Sequence, residues 1–77
     1  MPKLKKQSGR DIIKKLCNRF GFMIKRQKGS HVLLVKESKY GKTGCVVPLH
    51  MEIEIGTLKA ILEQACIIEE EYFHISD

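Results

Sequence analysis

The residue types able to do chemistry crowd into one stretch of this 77-residue chain, Arg26-Gln27-Lys28-Gly29-Ser30-His31, which runs straight into the apolar segment Val32-Leu33-Leu34-Val35. Cations, a Gly-Ser turn and one imidazole are thus held together at the entrance to a strand. Such a turn suits phosphate chemistry. Lysine and arginine neutralise phosphate charge, a glycine lets backbone amides approach an anion, and histidine moves a proton near neutral pH. Lys28 is the best candidate to meet developing negative charge. Arg26 and Ser30 are secondary phosphate contacts, and Gly29 supplies the backbone angle of the turn. Taken alone, the same residues also describe a basic hairpin turn with a solvated histidine. His50 is a second imidazole at the end of a later strand, and a structural role suits it better.

Other chemistries find less support. Cys17, Cys45 and Cys66 are odd in number, form no C-x-x-C, and stand at no ligand spacing from His31, His50 or His74. The expectation is no disulfide, no metal, three small buried apolar residues, and a cytoplasmic protein. Gly41-Lys42-Thr43 lacks the first glycine and the strand–helix setting of a phosphate-binding loop, and that reading is set aside. No signal peptide or membrane-length apolar run is read in the sequence.

Size and charge set the scale of the site. One domain of this length buries roughly 60–65% of its unfolded surface. It has no room for a deep cavity, so a shallow patch working on a polymer is expected. Thirteen of the fourteen Lys/Arg residues lie in positions 1–42 against Asp11 and Glu37 alone, whereas positions 43–77 hold Lys59 and seven acids. The first part carries +11 and the second −6. A basic lobe of that strength is the footprint of a polyanion partner.

The elements that must position these residues follow from periodicity. Positions 1–7 read as a flexible basic arm and 8–77 as a single domain. Ser8 is the expected N-cap of a first helix, with Ile12, Ile13, Leu16, Cys17 and Phe20 on its apolar face, Lys14, Lys15 and Arg19 mostly on the other, and Gly21 as its stop. Residues 22–27 alternate as a half-buried strand, Lys28-Gly29 turns the chain, and residues 30–37 return. This second strand is apolar on both faces, which leaves one face for a protein partner unless something covers it. Residues 38–44 read as a loop and 45–49 as a third strand, placed at an edge or strand end by Pro48. Thr57 is the expected N-cap of a helix carrying Leu58, Ile61, Leu62 and Ala65. Residues 69–73 suggest a short last helix. The sum is an α+β fold, α-β-β-β-α, with a three-stranded antiparallel sheet and helices packed on one face.

Ser8-Gly9, Gly21-Phe22, Arg26-Gln27-Lys28-Gly29-Ser30-His31, Val47-Pro48-Leu49-His50, Gly56-Thr57-Leu58, Ile61-Leu62 and Gln64-Ala65, in this order and spacing, resemble the HicA (YcfA-like) mRNA interferase toxins. The resemblance spans roughly Ser8 to Phe73. It implies a double-stranded-RNA-binding-like fold, cleavage of mRNA, neutralisation by a HicB-like antitoxin, and catalysis by the histidine of a Gly-Ser-His motif, here His31; no cofactor is expected. Two residues depart from the family: Cys66 stands where glycine is common, and Ile68 where a helix-capping serine is common. One histidine is chemically sufficient, because RNA carries its own nucleophile in the 2′-hydroxyl. His31 would take that proton or protonate the leaving 5′-oxygen, giving a 2′,3′-cyclic phosphate. The alternative is a non-catalytic RNA-binding module of the same fold.

Overall fold

The computed structural model describes residues 7–75. Its elements run α1 (Gly9–Arg19), β1 (Met23–Lys28), β2 (His31–Ser38), β3 (Gly41–Pro48), α2 (Ile55–Gln64) and α3 (Glu69–His74). The strands form one antiparallel sheet in the order β1-β2-β3. The α-β-β-β-α order expected from the sequence is the one observed, with α3 as the short final helix.

Alternation on two strands decides where the core lies. Val32 and Leu34 of β2 sit opposite Val47 and Cys45 of β3, and cross-strand partners share a face. All four are buried against Ile12 and Leu16 of α1, Leu58, Ile61 and Leu62 of α2, and Tyr72 of α3. The helices therefore cover one face of the sheet. Leu33 and Val35, which point the other way, remain half-buried, and their neighbour Val46 is exposed.

Helix α1 begins and ends as its sequence dictates. The Ser8 hydroxyl accepts a 3.1 Å hydrogen bond from the Asp11 amide, which gives one of the four unpaired helix-start donors a partner. Gly21 takes a left-handed φ of 76°, and the Phe22 amide folds back to the Leu16 carbonyl at 3.1 Å. Gly9 allows a close approach: a Cβ there would stand 1.9 Å from the Pro48 carbonyl oxygen.

Several elements differ from expectation, each for a physical reason. β1 is exposed along its whole length rather than half-buried, because it lies at the sheet edge beyond the helices packed over β2 and β3. The register also slips between Ile24 and Arg26, which breaks the simple alternation. The loop expected over 38–44 is a tight turn at Lys39-Tyr40. The Ser38 hydroxyl accepts from the Tyr40 amide and donates to the Gly41 carbonyl, so the ladder runs on to the turn. Glu54, not Thr57, is the N-cap of α2, and no side chain caps that end. Lys15 is buried rather than outward: its Nζ stands 4.3 Å from the centre of the Tyr72 ring, with its charge over the ring face. The connection before α2 contributes Ile53 to the core, bridged to Gln7. Gln7 is accordingly held by that bridge, and the rest of the expected basic arm lies outside the described residues.

Cys45 is buried and Cys17 half-buried, but Cys66 is exposed. It occupies the residue after the cap of α2 at a φ of 58°. Its amide bonds the Glu63 carbonyl and the next amide, of Ile67, bonds that of Leu62, the paired closure that normally employs glycine. A left-handed turn, not the core, fixes this cysteine's place.

Candidate nucleic-acid interface

The hairpin joining β1 and β2 closes with Gly29 and Ser30 as its only two turn residues. Gly29 has a φ of 59°, whereas Ser30 does not share its positive angle, the pattern of a type II′ turn. That geometry matches the natural twist of the strands and asks for glycine at the first position. The Gln27 side-chain amide donates to the Gly29 carbonyl at 3.0 Å and steadies the loop.

This turn makes Lys28 and His31 the closing pair of the ladder. Partners across an antiparallel pair share a face with Cβ atoms roughly 4.5–5.5 Å apart, so the two side chains leave the sheet on the same face. Both residues are exposed. Arg26 pairs with Leu33, two positions further along β2 from His31 and hence on the same side. The expected phosphate-binding set of Arg26, Lys28, Gly29 and Ser30 and the candidate proton-transfer residue His31 are therefore gathered at one hairpin end. No carboxylate stands among them.

The base of the hairpin is anchored. The Leu49 amide donates to the Ser30 carbonyl at 2.6 Å, and His31 is paired with Pro48 across β3. The next backbone link runs from the Gly9 amide to the His50 carbonyl at 2.9 Å, which ties the start of α1 to the end of β3. His50 is exposed near that junction and serves it through its backbone. Lys59 lies on α2, exposed. A phosphate at the start of α2 would meet Glu54, which disfavours that helix start as an anion site.

The basic lobe is distributed unevenly. Arg10 and Lys14 are exposed four residues apart on α1, so both lie on one flank of that helix. With Ile13, Ile24, Gln27 and Leu49 they line a groove between α1 and β1. The exposed cation spacing on α1 is visible in the sequence. The groove is not, because it arises only when Ile24 and Leu49 are brought beside the helix. At the other end of the sheet Lys42 is paired with Glu37 at 3.3 Å, and the Lys36 ammonium stands 5.9 Å from the Phe22 ring.

Burial raises the Cys17 thiol above its ordinary range and pushes Cys45 up to about 11, the latter also through its neighbour Cys17. Both thiols stay protonated and poor as nucleophiles or ligands. Among the described residues, no three His, Cys, Asp or Glu side chains gather as a metal site, and no helix is long and apolar enough to cross a membrane.

In comparison with known families, the family described as the HicA toxin of bacterial toxin–antitoxin matches residues 9–67. No curated protein matches the chain. The matched region holds α1, the whole sheet and α2, including every residue of the hairpin.

Proposed function

We propose, for a chain that belongs to the HicA toxin family of bacterial toxin–antitoxin systems, that its toxic activity is metal-independent endonucleolytic cleavage of mRNA at the Lys28–His31 hairpin. The observation that carries this reading is the cross-strand pairing of Lys28 with His31 at a two-residue turn, both residues exposed and on one face of the sheet.

The chemistry needs little more. The RNA 2′-oxygen attacks the adjacent phosphorus, the bond to the 5′-oxygen breaks, and a 2′,3′-cyclic phosphate and a 5′-hydroxyl result. One proton leaves the 2′-hydroxyl and one reaches the 5′-oxygen. His31 carries one of these transfers, and exchange with water returns it to its starting state. Lys28 stabilises the charge gathering on the non-bridging oxygens, with Arg26, the Ser30 hydroxyl and the turn amides at Gly29 holding the phosphate in register. An exposed imidazole that acts alone predicts a modest rate, adequate for a toxin whose substrate is the cell's messenger pool in the cytoplasm.

The partner that restrains such a toxin is a HicB-type antitoxin. Support comes from the face of the sheet that the helices leave bare, where Leu33 and Val35 are half-buried and Met23 and Val46 are exposed, beside the cations of β1. An acidic partner seated there would desolvate the apolar strip and neutralise the hairpin together.

The test is cleavage of a defined RNA in EDTA by the full chain. Products ending in a cyclic phosphate, lost with His31→Ala, support the reading. RNA binding without turnover would replace it with a non-catalytic RNA-binding module, and dependence on a divalent ion would overturn the metal-independent route.

A further inference from the structure

We infer that the groove between α1 and β1 is a nucleotide subsite, one that receives a base and phosphate flanking the cleaved bond and so commits the protein to single-stranded RNA. This rests on the reading of the hairpin as the cleavage site, and adds a second contact surface to it.

The groove combines two chemistries. Its floor is apolar: Ile13 is half-buried, Leu49 is half-buried, and Ile24 is 58% exposed, an unusual outlay of surface for an isoleucine on a strand. Its helix-side rim carries the cations Arg10 and Lys14, and neither takes part in an ion pair with Asp11, the one acid on α1. An apolar floor under a cationic rim fits a flat heterocycle joined to a phosphate. An acidic peptide would satisfy the rim but would leave the floor wet unless it also presented apolar side chains.

Position relative to the hairpin supplies the rest. Gln27 lines the groove and pairs with Val32, whose side chain enters the core face. Lys28 and His31 are the next pair along and point to the opposite side of the same two-stranded ribbon. Leu49, in the floor, is bonded through its amide to the Ser30 carbonyl at the turn. An RNA chain touching both surfaces must bend around the edge strand within a very few nucleotides. A single strand with splayed bases does this, and a stiff A-form duplex does not.

The experiment uses the full chain carrying His31→Ala, so that RNA is bound and not consumed, with a fluorescein-labelled single-stranded decaribonucleotide followed by anisotropy over a range of salt. The Arg10→Ala/Lys14→Ala variant should bind about tenfold more weakly, with the salt slope reduced by roughly 1.4, as for two lost phosphate contacts on a single strand. Replacing successive nucleotides by abasic ones should reveal one position worth at least ~5-fold in affinity, a preference that Ile24→Ser abolishes. Lys39→Ala, at the far hairpin, should match the parent. The same RNA annealed to its complement should bind more weakly and be insensitive to the groove variants. Folding of each variant is checked by circular dichroism. Groove variants that bind like the parent, while the unsubstituted chain still cleaves RNA, would overturn the subsite, leave the cleavage reading standing, and assign the groove to a protein partner. A duplex bound as tightly as the single strand would also overturn it. An unsubstituted chain that neither binds nor cleaves RNA would remove both.

Discussion

The Tyr72 hydroxyl donates a 2.6 Å hydrogen bond to the Gln7 side-chain oxygen, joining two residues 65 positions apart that both lie outside the matched family region. The Tyr72 ring is fully buried, 6.0 Å from Phe20 and under the Lys15 ammonium. Tyr72 is thus the fully buried anchor of helix α3, with Phe73 and Ile75 packed beside it. Tyr72→Phe should cost about 1 kcal/mol, the usual worth of such a bond, and Tyr72→Ala about 3–5 kcal/mol. Urea unfolding of the three proteins checks this. Equal midpoints for parent and Tyr72→Phe would show that the bond contributes nothing.

His31→Ala should lower RNA cleavage by ~10²–10⁴-fold and leave folding intact, because alanine fits a turn-to-strand junction but moves no proton. RNA affinity should hold if, as proposed, Lys28, Arg26 and α1 provide most of the attraction. Lys28→Ala should weaken binding and lower the salt slope by roughly 0.7. Cleavage rates, salt-dependent affinities and circular dichroism on the three proteins decide the matter. Parent-like cleavage by a folded His31→Ala protein would move attention to His50.

Two residues at the junction of α2 and α3 should be stability deficits. Cys66 holds a φ of 58° that costs a side chain about 1 kcal/mol or more, so Cys66→Gly should raise stability by about that amount. Ile68 is the N-cap of α3 and offers no side-chain acceptor, so Ile68→Ser should add about 1 kcal/mol. Denaturant midpoints of the single and double variants should rise additively. An unchanged midpoint for Cys66→Gly would mean that its side chain contributes more than its backbone angle costs.

The buried thiols predict a specific alkaline weakness. Cys45 is raised in the fold from its ordinary 9.0 to about 11. Below pH 9 both folded and unfolded states hold the proton and stability is unaffected. Between pH 9 and 11 only the unfolded state releases it, so stability falls, by an amount on the order of 2–3 kcal/mol. Cys45→Ala should flatten that part of the pH dependence, measured by urea titration at each pH. At neutral pH iodoacetamide should label Cys66 rapidly and spare Cys45, and reductant should leave the melting temperature unchanged.

The sequence carried the architecture and the hairpin because both rest on local rules. Ser8 as a cap, Gly21 as a stop and Gly29 in a two-residue turn are decided within a few residues. Because β2 is apolar on both faces, alternation alone did not say that Val32 and Leu34, rather than Leu33 and Val35, face the core; their packing with Val47, Cys45 and the helices does. What escaped was set by distant neighbours. The exposure of β1 depends on where the helices end across the sheet. Lys15 looks outward in the helical pattern until α3 brings Tyr72 beneath it. Cys66 resembles a small core residue until its left-handed turn is seen. The groove under Arg10 and Lys14 exists only through Ile24 and Leu49, 14 and 39 positions from Arg10.

The outer border of β1 also has a bearing on what happens when this protein is by itself. Among the described residues no strand pairs with that border, so Met23–Lys28 offers an open template on which a second molecule could extend the sheet. Three of its six residues are Lys25, Arg26 and Lys28, and the ladder is kinked at Lys25. Two copies meeting edge to edge would set cation against cation along strands that do not lie flat. The charges proposed to hold RNA at the hairpin would thus also discourage copies of the molecule from joining edge to edge into fibrils.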